Sequence, residues 1–446
     1  MPSHSPSTDT TRAAYIRQIE DALGQRKLYW FGPRGADGRA LLALDQFDGA
    51  FSIMAPLEAV SVRHDVSLET LTGERVDHNT YSFEEDTSQA LKEFRGRLLS
   101  ALNQASAIVP YRPNRFLSNI CFPRADTSLH LGMFHEHQSQ FEHKPWVESE
   151  LRKIDVPTLP WMYLADEDRP RLVEFFNRHG SIVLRASRSD GGARVELVTT
   201  AEELALLVPQ HDDGFLCACR FYDRAVPLNL NGCIFRDGTV LLHGLSEQLI
   251  GLPELTRRRF GYCGNVFRRS EDWPPELLEQ FEHYGKLAGR WLHSQGYLGV
   301  FGLDALFADG RIYVVEVNPR FQGSTWAVGR TDRHRGLPDL YLLQIAVFLS
   351  LPPPVMPPLQ QTISQQQSET LAIVYNLNPE PVTLAGRRDI SAIEYDLIPS
   401  ADITVHPEAV TARLLLDHTR RLTDRDVKAW VSQLKGDPVQ SPMILE

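Results

Sequence analysis

Gly296-Tyr-Leu-Gly-Val-Phe-Gly-Leu-Asp304, a turn at Asp309-Gly310, then Ile312-Tyr-Val-Val-Glu316-Val-Asn318-Pro-Arg320: this stretch decides the fold. Two apolar runs joined by an Asp-Gly turn predict a β-hairpin. The hairpin is expected to set Asp304 beside Glu316, with Asn318 two residues on and on the same face. Two carboxylates and an amide oxygen make a hard-oxygen set suited to Mg²⁺ held between protein and phosphates. The plain alternative is a half-buried hairpin whose acids face solvent. Acids that interrupt otherwise apolar runs favour the metal reading, so Asp304, Glu316 and Asn318 are the candidate metal ligands.

Working outward, 446 residues exceed one compact core and predict roughly two to four structural units. Apolar content of 42% is enough to bury them, and a formal net charge of −11 argues against a nucleic-acid partner. The N-terminal Met1-Pro-Ser-His-Ser-Pro-Ser lacks the apolar segment of a signal peptide. The most apolar later run, Leu340 to Leu351, contains Gln344 and stops at Pro352, too short to cross a bilayer. No membrane association and a cytoplasmic location are the expectations. An odd set of five cysteines fits a reducing compartment. Cys217 and Cys219 share a strand face, where buried thiols are the expected reading and a soft-metal pair the alternative. His135, His137 and His143 invite a metal reading too, but their spacing does not stack on a helix, which predicts a solvated or hydrogen-bonded loop.

Upstream of the hairpin, residues 1–140 mix β-like runs such as Leu41 to Leu44 with a helical stretch near Ser88 to Ala107, and carry no recognised chemical motif. After Lys144 a helix Trp146 to Ile154, a proline-punctuated connector Val156 to Pro160, and a helix Arg169 to His179 closing at Gly180 are expected. A strand ends at Arg185, and a polar loop with Ser187, Ser189, Gly191 and Gly192 leads to the next strand at Arg194 to Val198. A cation at a strand end beside accessible backbone N–H groups is a means of holding phosphates. Downstream, residues 352–369 read as a Pro/Gln/Ser linker, and the remainder predicts two or three strands and a helix Asp424 to Leu434. Walker lysine, Gly-x-Gly-x-x-Gly and Gly-x-Ser-x-Gly motifs are absent.

Taken together, these segments resemble the ATP-grasp superfamily of carboxylate-amine ligases over about Lys144 to Leu351, in family order. Lys144, thirteen residues ahead of Pro157, looks like the first phosphate-binding lysine before its connector. Arg185 and its glycine loop look like the segment that contacts and covers ATP phosphates, with arginine where lysine is usual. The spacing Asp304, Glu316, Asn318 matches the magnesium ligands. The resemblance implies an α+β class: two α+β subdomains clasping ATP, an N-terminal α/β domain and a small C-terminal extension. Boundaries follow as 1–140, 141–215 (small subdomain with the covering loop), 216–355 (large subdomain with the metal site) and 356–446.

The resemblance also implies ATP and one or two Mg²⁺ ions as cofactors. It implies chemistry in which ATP phosphorylates a carboxylate and an amine displaces phosphate, leaving ADP. Lys144, Arg185 and Arg320 would stabilise the transferring group, with Arg320 and Arg185 catalytic; a surface salt bridge is the alternative for Arg320. The adenine hinge falls near Cys217 to Tyr222, placing Cys219 and Phe221 against the nucleotide, and Asp223 and Asn229 are read as ribose contacts or turn residues. Gln322, Gly323 and Ser324 resemble the loop closing the substrate end. The basic run Arg257, Arg258, Arg259, then Arg268 and Arg269, is a candidate carboxylate site for an amino acid or peptide, or else a solvated helix end. The layout is similar to single-chain peptide ligases of natural-product pathways, including the pheganomycin type, with small-molecule acid and amine partners and, by analogy, a homodimer. Biotin-dependent carboxylases are disfavoured by the shortness of the matched core. A carboxylate-thiol ligase, a kinase, or a nucleotide-binding regulatory module without turnover are the rival readings.

Overall fold

The computed structural model describes residues 9–55, 62–165, 168–188, 191–192, 194–206, 215–366, 368–384, 394–396 and 402–417. Four sheets organise them.

The N-terminal sheet is parallel, five-stranded, and built around Lys27–Arg34 at its centre. Its strands are apolar through most of their length, as strands covered on both faces must be. One face packs on the helix Gln89–Leu102 through Phe94 and Leu98, the other toward Tyr15 and Ile19 of Asp9–Leu23. The expected β-like run at Leu41 to Leu44 is instead the end of a 3-10 helix, Gly35–Ala43, whose Leu41 packs under the sheet. Parallel sheets present their ligands' crevice at the carboxyl ends of the strands, and here that edge carries Arg34 and Pro110.

A smaller antiparallel sheet orders Trp161–Ala165, Phe215–Arg220, Ile182–Arg185 and Val195–Val198. The expected boundary at residue 215 therefore falls on the first residue of one of its strands. The expected helices Lys144–Lys153 and Arg169–His179 are present, the latter ended by Gly180 at φ 79°. Lys144–Lys153 inserts Val147 and Leu151 into the core of the large sheet, rather than packing on the smaller one.

The large sheet has eight strands, and its far half overturns the reading of residues 356–446 as linker and appendage. Glu369–Tyr375 pairs with Tyr262–Phe267, and Val410–Asp417 pairs with Glu369–Tyr375, so the C-terminal segment completes the sheet. The linker also holds a short helix, Leu359–Ser364. Two helices, Thr325–His334 and Leu340–Phe348, follow the hairpin, the second carrying the apolar run. The helix expected at Asp424 to Leu434 lies outside the described residues.

The N-terminal sheet is tied to this body by buried polar bonds. Arg413 Nη1 donates to Asp37 Oδ1 at 2.8 Å and Gln344 Nε2 to Leu131 O at 2.9 Å. Phe321 N donates to Tyr111 O at 3.2 Å. No described helix is long and apolar enough to cross a membrane.

Candidate active site between the sheets

The hairpin is formed by Gly299–Ala308 and Arg311–Asn318, with positive φ at Asp309 (52°) and Gly310 (72°), the backbone a tight two-residue hairpin turn demands. Near the turn Ala308 faces Arg311 and Ala305 faces Val314. A regular continuation would bring Val315 opposite Asp304 and turn Glu316 to the other face. A bulge between Asp304 and Ala305 adds one residue, so Glu316 pairs with Asp304 and Asn318 with Gly302. The expected convergence exists, and it depends on that extra residue.

Around Asp304 the polar side chains form one connected network. Asn229 Nδ2 and Gln248 Nε2 donate to Asp304 Oδ1 at 2.7 and 3.1 Å, and Asn318 Nδ2 to Oδ2 at 2.9 Å. Asn229 Nδ2 also donates to Gln322 Oε1 at 3.0 Å, Ser324 Oγ donates to Asn229 Oδ1 at 2.7 Å, and Thr325 Oγ1 to Asn231 Oδ1 at 2.8 Å. Gly302 is required here: a Cβ on it would lie 2.0 Å from the Gln322 carboxamide. Asn229, on the strand Val226–Ile234, is thus a hydrogen-bond partner of Asp304 and also lines the cavity.

Opposite the acids, Lys144 Nζ lies 2.9 Å from Glu316 Oε1. Burial, then the facing Glu316, pushes the Asp304 carboxyl up to about 6. Two opposed carboxylates and the amide oxygen of Asn318, at an electrostatic cost that a cation would relieve, fit a hard divalent ion. Among the described residues no group of three or more His, Cys, Asp or Glu converges elsewhere. His143 instead caps the helix Lys144–Lys153, its Nδ1 accepting from Trp146 N at 3.3 Å. All five cysteines are buried free thiols, and burial raises Cys219 to about 12.

A cavity of about 430 Å³ lies between the sheets. Lys144, Arg185, Gly191, Gly192, Cys219 and Phe221 line one part of it. Asp304, Glu316, Asn318, Arg320 and Gln322 to Ser324 line another. Arg185 is fully sheltered, ion-paired with Glu148 and donating to Val315 O at 3.2 Å. Burial, partly offset by Arg185, raises the Glu148 carboxyl. Gly192, at φ 74°, comes so close to the main chain at Phe260 that a Cβ would sit 2.1 Å from its carbonyl oxygen, so only glycine fits. Ser187 O accepts from Lys144 N at 3.0 Å, anchoring the loop to the lysine. Ser189 lies outside the described residues. Phe221 faces the cavity, but its N–H donates to Ser181 O at 3.0 Å and so cannot read a base.

The arginine cluster disperses. Arg258 pairs with Asp77 at 2.8 Å, Arg268 pairs with Glu247 and covers Trp273, and Arg259 is exposed. None of the three lines the cavity. Arg34, Tyr111 and Tyr262 line it instead, none of which the sequence singled out. Two signals were present: the polar alternation in Leu228-Asn229-Leu230-Asn231, and an arginine closing an apolar strand at Gly32-Pro33-Arg34.

Residues 232–324 match the family described as ATP-grasp domain. The arginine-specific carbamoyl phosphate synthase large chain of Geobacillus stearothermophilus is 26% identical over 226 residues, 50% of this chain. The chain spans about a fifth of that relative's length, 20%. Among solved structures, the biotin carboxylase domain dimer of Hydrogenobacter thermophilus 2-oxoglutarate carboxylase, in complex with MgADP, ADP and bicarbonate, superposes with TM-score 0.60 at 16% identity. That likeness covers 88% of this chain and 86% of that one, so the matched region is not short, contrary to the ground on which carboxylases were disfavoured. N5-carboxyaminoimidazole ribonucleotide synthetase of Thermus thermophilus gives TM-score 0.54 at 14% identity, over 94% of this chain and all (100%) of that one. With the bulged acidic hairpin, the glycine loop and the cleft between two sheets in place, the chain has the ATP-grasp fold.

Proposed function

We propose that this protein is an ATP- and Mg²⁺-dependent ligase that activates a carboxylate and joins it to the amine of an amino acid or peptide, releasing ADP and phosphate. The observation that carries the reading is the bulge that pairs Asp304 with Glu316 across from Lys144 in the cleft. Asp304, Glu316 and Asn318 would hold Mg²⁺, which supplies charge neutralisation on the phosphates when bound. The chain's own part is positioning and electrostatics. Lys144 and Arg320 flank the acids and set the charge around the transferring group, while Gly191 and Gly192 offer backbone N–H groups over it. Arg185, committed to Glu148, stiffens this wall more than it contacts phosphate.

In the first step a carboxylate oxygen of the acid attacks the γ-phosphorus, and the bond to the ADP oxygen breaks. In the second the amine nitrogen attacks the acyl carbon, the bond to phosphate breaks, and the proton lost from nitrogen leaves with phosphate. Gly323 and Ser324 line the cavity, and their backbone N–H groups would be the donors to negative charge developing on the acyl oxygen.

A second reading puts bicarbonate in the place of the organic acid. It is favoured by the near full-length likeness to a biotin carboxylase domain solved with that anion. Mass spectrometry after incubation with Mg-ATP, pooled acids, amino acids and ¹³C-bicarbonate tests both. ADP with a condensed amide supports the first, and ADP with ¹³C fixed on nitrogen the second. A phosphate ester or a thioester would point to a kinase or a thiol ligase, and intact ATP throughout would oppose turnover of any kind.

A further inference from the structure

Next to the nucleotide cleft lies a second cavity of about 500 Å³, and the two share His78, Asn79, Tyr111 and Arg320 as a common wall. Each is within the range of about 300–1,000 Å³ that holds one small ligand. The cleft's outer part is accounted for by the phosphate-facing residues above. The second chamber is a separate compartment opening at the reacting end.

Its walls have an uneven chemistry. The inner wall is aromatic: Phe31, Tyr81, Phe83 and Tyr111, with Phe83 held 5.3 Å from Phe31 and 5.1 Å from Tyr81, ring centre to ring centre. Its outer charges are already compensated, Arg112 by Glu142 at 2.8 Å and Arg115 by Glu136 at 3.7 Å. Glu84 is engaged at Phe116 N, 2.9 Å. At the junction stands Arg34, 4% exposed and ion-paired with Asp37, which also takes Arg413. Arg34 Nη2 is buried with no hydrogen-bond partner, and Arg34 lines the cleft over the Tyr111 ring at 5.2 Å. A buried guanidinium N–H without an acceptor is costly until a ligand oxygen meets it. Arg320 lines both cavities at the same junction.

We infer that this chamber binds the acid substrate, that the acid is an aromatic carboxylic acid, and that its carboxylate meets Arg34 and Arg320 at the junction while its ring lies against the Phe31–Tyr81–Phe83 wall. The inference rests on the ligase reading for the word substrate, but the binding itself does not. Offset or edge-on ring contacts reward an aromatic body over an aliphatic one of equal size, and the paired outer arginines leave no second anion site.

Isothermal titration of the full chain with 3-phenylpropanoate and with nonanoate, of equal carbon count, tests it, beside a separate titration with Mg-ATP and an assay of ADP release. The expected result is 3-phenylpropanoate binding about tenfold tighter than nonanoate, in the absence of nucleotide. Ser82→Trp, on the chamber's rim and half-buried, is expected to abolish that binding and leave Mg-ATP affinity unchanged. Arg34→Gln is expected to weaken both acids alike, and a thermal melt shows whether it still folds. Equal or tighter binding of nonanoate, or binding of 3-phenylpropanoate unaffected by Ser82→Trp, overturns the inference. Failure of Mg-ATP to bind or to yield ADP with any acid counts against the ligase reading instead.

Discussion

The acidic hairpin and the arginine-rich segment 257–269 were both charged clusters in the sequence, yet only the first converges in the structure. In the hairpin, each residue's direction is fixed by a ladder of main-chain hydrogen bonds, so side chains spaced by two must share a face. With the bulge in that ladder, Asp304, Glu316 and Asn318 meet, and burial followed by the facing Glu316 raises the Asp304 carboxyl. The arginines sit around the irregular turn between two strands, where each side chain takes the nearest acid. Arg258 goes to Asp77, Arg268 to Glu247, and Arg259 to solvent. Charges converge here because a main-chain ladder, with its one bulge, holds them there, whereas the irregular turn lets each arginine find its own acid.

Breaking the hairpin's chemistry should have the largest effect. Glu316→Gln removes one of the two carboxylates and the partner of Lys144, and is expected to lower ADP release by about 10³-fold with an unchanged circular-dichroism spectrum. In the parent chain Mg²⁺ at a hundred times its Kd should raise stability by about 2.7 kcal/mol in urea titrations, and in Glu316→Gln it should not. Unimpaired turnover in this variant would remove the metal assignment.

Arg185→Ala probes a cation that regular structure does fix. It leaves Glu148 buried without its guanidinium, for an expected loss of about 3–5 kcal/mol. Replacing the pair together, as Arg185→Met with Glu148→Leu, should recover most of that loss; if it does not, Arg185 has work beyond its ion pair. Gly302→Ala sharpens the geometric half of the comparison. Its methyl group would displace Gln322 and with it the Asn229–Asp304 bond, at about 1–3 kcal/mol of stability and a larger share of activity. The smallest effect belongs to the dispersed cluster: Arg259→Ala should change stability by less than about 0.5 kcal/mol and leave ADP release untouched.

Much of the fold was legible because its signals are local. Strand periodicity, the Asp-Gly turn and the glycine that ends Arg169–His179 each act within a few residues. The errors share one cause. Residues 369–417 looked like an appendage because short strands carry no mark of which sheet they join; pairing with Tyr262–Phe267 is settled over a separation of about a hundred residues. The run at Leu41 to Leu44 was apolar because a 3-10 segment is buried there, and a short apolar run does not distinguish the two. Asn231 was missed because an asparagine inside a strand gains meaning only from Thr325 and Ser324 brought to it by a later loop.

By itself the sequence pointed to Asp304, Glu316 and Asn318 as one set, to the lysine ahead of its proline connector, and to the glycine loop, since these follow from residue types at short spacings. Tertiary structure decided the rest. A single bulged residue turned Glu316 to the face of Asp304, where an unbroken register would have sent it to the opposite face. The packing of the N-terminal sheet against the large one brought Arg34 and Tyr111 to the cleft beside acids that lie far along the chain at Asp304 and Glu316. The physical reason is that spacing along a chain constrains direction only while the hydrogen-bond ladder is regular, and proximity across the chain is set by burial of whole faces, which no local pattern encodes.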